Sequence, residues 1–360
     1  MRSLVHSLEQ AYDSLKADLA GRLGLGDTPM VAPYRGFGTA DSFWARGRVL
    51  EDEGVVTAQH TDSLLVNLRH TIKRYGSDEI PGARLSWEFG GEKGEVVTDE
   101  EGYFDLTFAP GDGFDAHSEW QDVHVLLEAA PHHETQPLGA TVKVRTPRDH
   151  ARFAVVSDID DTIVYTGAHD FAKHWRTVVA NSAKSREGYE GLPELYRDLV
   201  GDDERNPIFY VSSSPWNLFD LFERYMILND IPVGPMLLKD FGLDDTKWLT
   251  GGHDGHKGKQ IDRVAETYPD LPLILVGDSG QRDASIYADA VERHGKRIAA
   301  VLIHEVTPQE HEKETADMRA RLTDTPYLVT GSYPYAHDWL RELGFADGVR
   351  ADGHDTVATA

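Results

Sequence analysis

The stretch FAVVSDIDDT, residues 153–162, decides the fold class of this 360-residue chain. An unbroken apolar run opens it, and acidic and hydroxyl side chains follow at once. Similar apolar runs occur at residues 208–211, 273–276 and 298–303, with helix-like segments between them. Apolar runs that do not alternate with polar residues are typical of parallel strands covered by helices on both faces. The pattern predicts an α/β domain over residues 151–350, followed by a flexible tail at 351–360.

The first 150 residues show a different pattern. Leucine and tyrosine recur at helical spacing over residues 4–23, and residues 64–75 are also helix-like. Short strand-like segments lie at residues 43–50, 82–89, 103–108, 123–128 and 138–145, with turn signals between them. This spacing predicts an N-terminal domain, residues 1–150, made of a helix and a β-sandwich-like unit. The string TDEEGYFDLTF at 98–108 resembles transthyretin-like and carboxypeptidase-regulatory β-sandwiches, which are usually interaction modules; the protein partner is unknown.

Composition argues against several classes of function. Asp and Glu number 61 against 36 Lys and Arg, so the net charge is −25. That balance argues against nucleic-acid binding and against electrostatic attachment to anionic membranes, since both need clustered basic residues. Cysteine is absent, which excludes disulfides and thiolate sites. Because no signal-like or membrane-spanning apolar run occurs, we expect a cytoplasmic protein with at most peripheral membrane contact.

Polar side chains follow three of the predicted parallel strands, at the edge where such sheets bind ligands. Asp158 and Asp160 follow the first strand, and alternation in an extended turn points them to the same side. Two adjacent carboxylates repel, so they need a cation or a shared proton. Completed by Asp278 and Asp283, an all-oxygen cluster suits Mg²⁺. The alternative is a solvated acidic loop, which the position directly after a buried strand makes the weaker interpretation.

These residues resemble the four motifs of the haloacid-dehalogenase-like phosphatase superfamily. The matching positions are Asp158, Asp160 and Thr162 in the first motif, Ser212 in the second, Lys257 in the third, and Asp278 and Asp283 in the fourth. The longer strings VSDIDDTIVYTG, FYVSSSPWNLFD and ILVGDSGQRD resemble one branch, the phosphatidate phosphatase catalytic domain of actin-patch-associated proteins, with lipins as distant relatives. The resemblance covers roughly residues 150–310 and implies a Rossmann-like parallel sheet with a small helical cap.

The resemblance also implies roles for the acidic residues. Asp158 would attack phosphorus and form an aspartyl-phosphate, and Asp160 would protonate the leaving alcohol and then activate water. Mg²⁺ would be held by Asp158, the backbone carbonyl of Asp160 and Asp278. Asp283 would orient metal-bound water or Lys257.

The remaining roles belong to the substrate phosphate. Ser212 would donate a hydrogen bond to a phosphoryl oxygen, and Lys257 would neutralise charge in the transition state. Thr162 and Ser213 are further candidates for substrate contact, although each could serve only to shape its turn. Lys259 competes with Lys257, but only Lys257 opens a helix whose buried stripe falls at residues 261, 264 and 268.

Three features near the site leave alternatives open. His253 and His256 could form part of a zinc site or lie on a solvated loop. The connection between the first two motifs is basic and aromatic at residues 171–186. This composition favours a lid that covers a phosphate headgroup, and the alternative is a plain solvated helix. His304 and Glu305 stand where the family pattern favours Arg-Asp, so substrate specificity can differ here.

The favoured function is a Mg²⁺-dependent phosphatase of a phosphomonoester, with phosphatidate as the substrate that the resemblance implies. A phosphatase of a soluble small molecule or of a protein is the alternative within the same class. A non-catalytic adaptor acting through the N-terminal β domain is the alternative from another class. Every chemically required position is filled, which argues against the adaptor.

Overall fold

The computed structural model describes residues 28–52, 78–164, 189–239, 253–306 and 312–346. The predicted helices at 4–23 and 64–75, the basic segment at 171–186 and the tail at 351–360 lie outside these ranges. Two sheets organise the described residues, and they divide the chain between Arg145 and Ala154. The predicted domain boundary near residue 150 falls between them and stays a prediction.

The first sheet has eight strands and is mixed. They are β1 (Thr28–Pro33), β2 (Gly36–Gly38), β3 (Phe43–Asp52), β4 (Arg84–Phe89), β5 (Glu92–Val97), β6 (Tyr103–Phe108), β7 (Trp120–Ala129) and β8 (Leu138–Arg145). The order is β1-β3-β2-β8-β7-β4-β5, with β6 pairing with β3. Alternate residues point inward, as with Val123, Val125 and Leu127 on β7, and form an apolar core. All five predicted strands are present in this sheet; the sandwich-like packing itself stays a prediction.

The second sheet has six strands, all parallel. They are β9 (Ala154–Ser157), β10 (Ile208–Pro215), β11 (Met236–Lys239), β12 (Leu273–Asp278), β13 (Ile298–His304) and β14 (Tyr327–Thr330). Their order, β11-β10-β9-β12-β13-β14, is the doubly wound order 3-2-1-4-5-6 when counted within this sheet. The prediction of an α/β fold with a parallel sheet is confirmed. The order reverses between β9 and β12, so a crevice for a ligand is expected at their carboxyl ends.

Helices cover both faces of the parallel sheet. They are α1 (Leu192–Val200), α2 (Phe219–Leu228), α3 (His253–Thr267), α4 (Asp283–His294), α5 (Glu312–Arg321) and α6 (Tyr333–Glu342). α1, α2 and α6 pack on one face, and α3, α4 and α5 on the other. The stripe predicted for α3 is confirmed, because Ile261, Val264 and Tyr268 are all buried. No helix within the described ranges is both long and apolar enough to cross a membrane.

The two sheets share apolar core. The ring of Tyr34, next to β1, stacks on Trp216 with centroids 5.2 Å apart. Phe37 of β2 lies edge-on to Phe209 of β10 at 5.5 Å and contacts Tyr268 at 6.4 Å. Burial of one such side chain is worth about 1.5–3 kcal/mol. The first sheet is therefore packed directly against the layer that carries the strand ends.

Candidate active site

A tight turn directly after β9 presents the DIDDT residues. The amide of Asp158 still donates to the carbonyl of Val276 on β12, at 2.8 Å, so Asp158 is held at the sheet edge. The chain then turns, with the amides of Ile163 and Val164 both donating to the carbonyl of Ile159. Asp161 adopts a left-handed conformation with φ of 59°, which Asp tolerates better than most residues. The turn thus fixes two carboxylates beside the point where the strand order reverses.

The Asp158 carboxylate lies against a buried lysine. Lys257 Nζ is 2.5 Å from Asp158 Oδ1 and 2.6 Å from Asp283 Oδ1, and its side chain is 4 % exposed. Thr162 Oγ1 donates to Asp158 Oδ2 at 3.3 Å, so both carboxylate oxygens are oriented. Burial lowers the pKa of Lys257, but Asp158 and Asp283 outweigh it and the net shift is upward. Lys257 therefore stays a cation, whereas Lys259 is exposed.

Three carboxylates converge at this point. Asp158, Asp278 and Asp283 are all buried and offer oxygen atoms within 4.8 Å of one another. Asp278 ends β12, and Asp283 opens α4 and accepts the amide of Asp278 at 3.3 Å. Gly277 makes this approach possible, because a Cβ at that position would lie 2.4 Å from Asp283 Oδ2 and 2.7 Å from the Tyr287 hydroxyl. The arrangement brings together three of the four predicted metal-binding residues, all except Asp160.

The charge balance of the cluster fits a bound cation. Burial raises the pKa of Asp158 well above its usual range, and Lys257 opposes this while Asp283 and Asp278 add repulsion. Burial also raises the pKa of Asp278 to about 8, with Asp283 again adding repulsion. Asp278 Oδ2 has no hydrogen-bond partner. Buried oxygen ligands with surplus negative charge are what a hard metal ion requires, so these residues can hold one.

Asp160 has one occupied oxygen and one free oxygen. Ser212 Oγ and Ser214 Oγ, both on β10, donate to Asp160 Oδ2 at 2.6 and 3.0 Å. Asp160 Oδ1 has no hydrogen-bond partner. Burial raises the pKa of Asp160, and the Ser212 hydrogen bond and Lys257 oppose the rise. A buried carboxyl with one oxygen left open can carry a proton to or from a bound molecule.

The two serines predicted to contact the substrate phosphate differ in their burial and in their contacts. The Ser212 hydroxyl, buried, is engaged with Asp160 and also accepts the amide of Ser214 at 2.8 Å. Ser213 is half-buried on the same strand end. Thr162 is buried and donates to Asp158. Their contact with substrate remains a prediction; what the geometry gives directly is that Ser212 and Thr162 orient the two aspartates.

Sequence reasoning missed the roles of Gln281 and Ser214. Gln281 Oε1 accepts from Lys257 Nζ at 3.3 Å, and Gln281 Nε2 lies 3.5 Å from the carbonyl of Asp160. Its position between Asp278 and Asp283 in GDSGQRD was a usable signal. Ser214 had the same signal, since it is two residues after Ser212 on an extended strand.

An aromatic group on the other side of the turn was also missed. The Tyr189 hydroxyl donates to the carbonyl of Asp161 at 2.9 Å, and the Tyr333 hydroxyl donates to the carbonyl of Thr162 at 2.7 Å. His304 lies against both rings, with centroids 4.5 Å from each. Burial lowers the pKa of His304 to about 4, and Asp161 opposes that shift. A neutral imidazole therefore stands where the family pattern favours arginine.

The alternatives raised near the site fare differently. Among the residues that the structure describes, the group of three potential ligands contains aspartates and no histidine. His256 is half-buried in the first turns of α3, and the side chain of His253 is not among those described. The basic lid residues at 171–186 also lie outside the described ranges. The zinc alternative has no support among the described residues, and the lid stays a prediction.

Comparisons with known proteins support the predicted resemblance to a phosphatidate phosphatase catalytic domain. Residues 153–305 match the family model described as phosphatidate phosphatase APP1, catalytic domain. The phosphatidate phosphatase APP1 of Saccharomyces cerevisiae is 28 % identical over 184 residues, 50 % of this chain and 30 % of the yeast protein. An uncharacterized protein of Schizosaccharomyces pombe is 22 % identical over 236 residues, 65 % of this chain and 37 % of that protein. The chain thus spans about a third of the length of these relatives.

Solved structures add no functional argument. A carbohydrate acetylesterase from Xanthomonas citri is 10 % identical with a TM-score of 0.28, covering 84 % of this chain and 69 % of that one. The sequence matches confirm the resemblance predicted from the motifs. Residues 153–305 are thus similar to a phosphatidate phosphatase catalytic domain.

Proposed function

We propose, starting from the phosphatidate phosphatase-like character of residues 153–305, that this protein hydrolyses a phosphomonoester through a phosphorylated Asp158. One observation carries the proposal. A buried carboxylate held by Lys257 at 2.5 Å lies on the same turn as Asp160, whose Oδ1 is unpartnered. A nucleophile and a separate acid–base group, both oriented, are what two-step phosphoryl transfer needs.

Asp158 is the nucleophile of this proposal. Lys257 and Thr162 each contact one of its oxygens, so the carboxylate is fixed before substrate arrives. A fixed nucleophile lowers the entropic part of the barrier. The bond to phosphorus forms as the ester oxygen leaves, and Lys257 remains close enough to offset the negative charge on the transferred group.

Asp160 is the proton carrier. Its Oδ2 is occupied by Ser212 and Ser214, which leaves Oδ1 to hold the proton. Because burial raises the pKa of Asp160, the proton is retained closer to neutral pH than on an exposed aspartate. Asp160 gives this proton to the leaving alcohol, and the resulting carboxylate then takes a proton from the water that attacks phosphorus. The bond between phosphorus and Asp158 breaks, inorganic phosphate leaves, and Asp160 is protonated again.

Mg²⁺ is the metal that this donor set fits best. Asp158, Asp278 and the backbone carbonyl of Asp160 would hold it, and Asp283 would position Lys257 and the metal site through its contacts with both. When bound, the cation supplies electrostatic stabilisation of the phosphoryl oxygens. The unpartnered Oδ2 of Asp278 and the raised pKa of Asp278 support a cation here.

Phosphatidate is the first substrate to test, since the yeast relative is named for it. A soluble phosphomonoester is the second candidate, because a net charge of −25 disfavours approach to anionic bilayers.

A phosphate-release screen with and without Mg²⁺ tests the proposal. The panel contains phosphatidate in mixed micelles, p-nitrophenyl phosphate and soluble sugar phosphates. We expect release from at least one substrate with Mg²⁺, and a loss of about 10³-fold or more in Asp158→Asn, because the nucleophile is removed. Asp122→Asn is the matched control, since Asp122 is half exposed in an ion pair with Lys143 on the first sheet. If Asp158→Asn behaves like the wild type throughout, the protein is no phosphatase of this kind and the adaptor function takes precedence.

A further inference from the structure

The turn that follows Ser212 and Ser214 contacts the first sheet. β10 ends at Pro215, and Trp216 and Asn217 open the next turn. Trp216 is 3 % exposed and stacks on Tyr34 at 5.2 Å. Only Pro215 separates Trp216 from Ser214, whose hydroxyl donates to Asp160. A shift of Trp216 would therefore be transmitted to Ser214 within two residues.

Two buried arginines of β3 meet this turn. Arg46 and Arg48 are 7 and 6 % exposed, and they lie on the same side of the strand. The guanidinium of Arg46 lies 4.8 Å from the ring centre of Trp216 and 4.5 Å from that of Tyr103. The guanidinium of Arg48 lies 4.4 Å from the ring centre of Tyr103. We call Arg46, Arg48 and Tyr103 the arginine–tyrosine cluster.

Asn217 is the polar contact point of the cluster. Its Oδ1 accepts from Arg48 Nη1 at 2.8 Å and from the Tyr103 hydroxyl at 2.8 Å. The rest of the Arg48 fork stays on the first sheet, with Nε donating to the carbonyl of Glu101 and Nη2 to Glu79. Asn217 itself is exposed, whereas the two side chains that donate to it are buried.

The free-energy cost of burying two arginines suggests that they do more than hold the two layers together. Burying a guanidinium costs several kcal/mol unless its donors are satisfied, and apolar residues would join two layers as well or better. Another polar contact between the layers, that of Arg35 with Glu223 at 2.8 Å, ends on α2 and not on the serine-bearing turn. Planar guanidinium groups with fixed donors hold a partner in one orientation, which apolar packing does less well.

We propose that the arginine–tyrosine cluster positions the 216–217 turn and thereby sets Ser212 and Ser214 against Asp160. The first sheet is then a working part of the active site and not a separate module. Arg46, Arg48 and Tyr103 are positioning residues, since they act through Asn217 and Trp216. The proposal rests on the phosphatase function for its kinetic readout, but its structural content can be measured independently.

Asn217 allows a sharp test because its side chain is exposed, so its replacement removes no apolar core packing. Asn217→Leu keeps the size of the side chain and removes the acceptor, whereas Asn217→Asp keeps an oxygen for both donors. We expect Asn217→Leu to lower kcat about tenfold with KM within about twofold, since proton delivery is misaligned while the substrate site is intact. In Asn217→Asp, by contrast, kcat should stay within about twofold of the wild-type value. Glu223→Gln, which weakens the Arg35 contact elsewhere in the same interface, should leave both constants unchanged.

Hydrogen exchange provides the second measurement. Amide exchange in a peptide covering residues 212–218 should be about tenfold faster in Asn217→Leu than in the wild type, and unchanged in Asn217→Asp and Glu223→Gln. The proposal is overturned if exchange and kcat in Asn217→Leu match the wild type, or if Asn217→Asp loses as much as Asn217→Leu. If the wild type hydrolyses nothing, faster exchange in Asn217→Leu alone still supports the positioning role while the phosphatase function fails.

Discussion

At the scale of single residues, the site is a buried collection of charges that do not balance. Lys257 is one cation among Asp158, Asp278 and Asp283, and the unpartnered oxygen of Asp278 faces the same cluster. Buried charges are tolerated when they are paired or bind a metal. The imbalance fits the proposal that this cluster binds a cation.

His304 gives a prediction about stability and pH. Its pKa in the folded protein is lowered from 6.5 to about 4, so between these values the unfolded chain binds more protons than the folded one. Stability contributed by the neutral ring is therefore fully present above about pH 6.5 and is lost as pH falls towards 4. In His304→Phe, which keeps the ring stacking, the drop in unfolding free energy from pH 7.5 to 4.5 should be smaller by about 2–3 kcal/mol.

Urea unfolding at the two pH values measures this effect. Exposed His117 provides the control, and His117→Phe should follow the wild type. If His304→Phe and the wild type lose the same stability on acidification, the ring is not held neutral as described.

The site residues at strand ends could be predicted from the sequence. The site residues on other segments, which tertiary packing brings close, could not. Asp158, Ser212 and Asp278 each follow an apolar run, and parallel strands necessarily bring such residues to one edge. Tyr189 and Tyr333 are on segments that no such rule places beside the turn, since their positions depend on how helices pack on the sheet. No local pattern marks them as neighbours of His304.

At the scale of elements, the β12–α4 connection is tightly constrained. A Cβ on Gly277 would press on Asp283 Oδ2 at 2.4 Å and on the Tyr287 hydroxyl, which itself donates to the carbonyl of Val276. Gly277→Ala should therefore cost about 1–3 kcal/mol of unfolding free energy and lower kcat, because Asp283 moves away from Lys257.

Thermal unfolding and phosphate release measure the two effects of Gly277→Ala. Gly255, in the first turn of α3, is the matched control, since a Cβ there meets nothing within 4 Å. Gly255→Ala should cause no loss of stability. Wild-type stability in Gly277→Ala would mean that α4 can shift to make room, contrary to the close packing described.

Strands of the parallel core were predictable, and short edge strands were not. β9, β10, β12 and β13 each contain a continuous apolar run that is almost entirely buried. β11 and β14 have four residues each and lie at the two edges of the sheet. β2 is GFG, a composition that disfavours strands. It pairs closely with β3 because Gly36 has no Cβ, and a Cβ there would lie 2.1 Å from the carbonyl oxygen of Trp44. Tertiary contact overrides local preference in such segments.

At the scale of the whole molecule, the net charge of −25 acts over distance. Repulsion from an anionic vesicle reaches about 30 Å at an ionic strength of about 10 mM and about 8 Å at about 150 mM. Hydrolysis of phosphatidate in phosphatidylcholine vesicles should therefore become faster as salt rises over that range. Initial rates of phosphate release measure this, with p-nitrophenyl phosphate as a substrate for which the dependence should be much weaker. A vesicle rate that falls with salt would instead indicate a basic docking face.

The shared aromatic core between the sheets has a consequence for how the chain can be divided. The apparent linker at residues 146–149 looks like a place to cut or to recombine. A fragment starting there would expose Phe209, Tyr268 and Trp216, which Phe37 and Tyr34 now cover. Exposed aromatic patches promote aggregation. Either half can therefore be exchanged with that of another protein only if the aromatic residues that contact it are exchanged as well. The segment that must be kept together is larger than the catalytic motifs suggest.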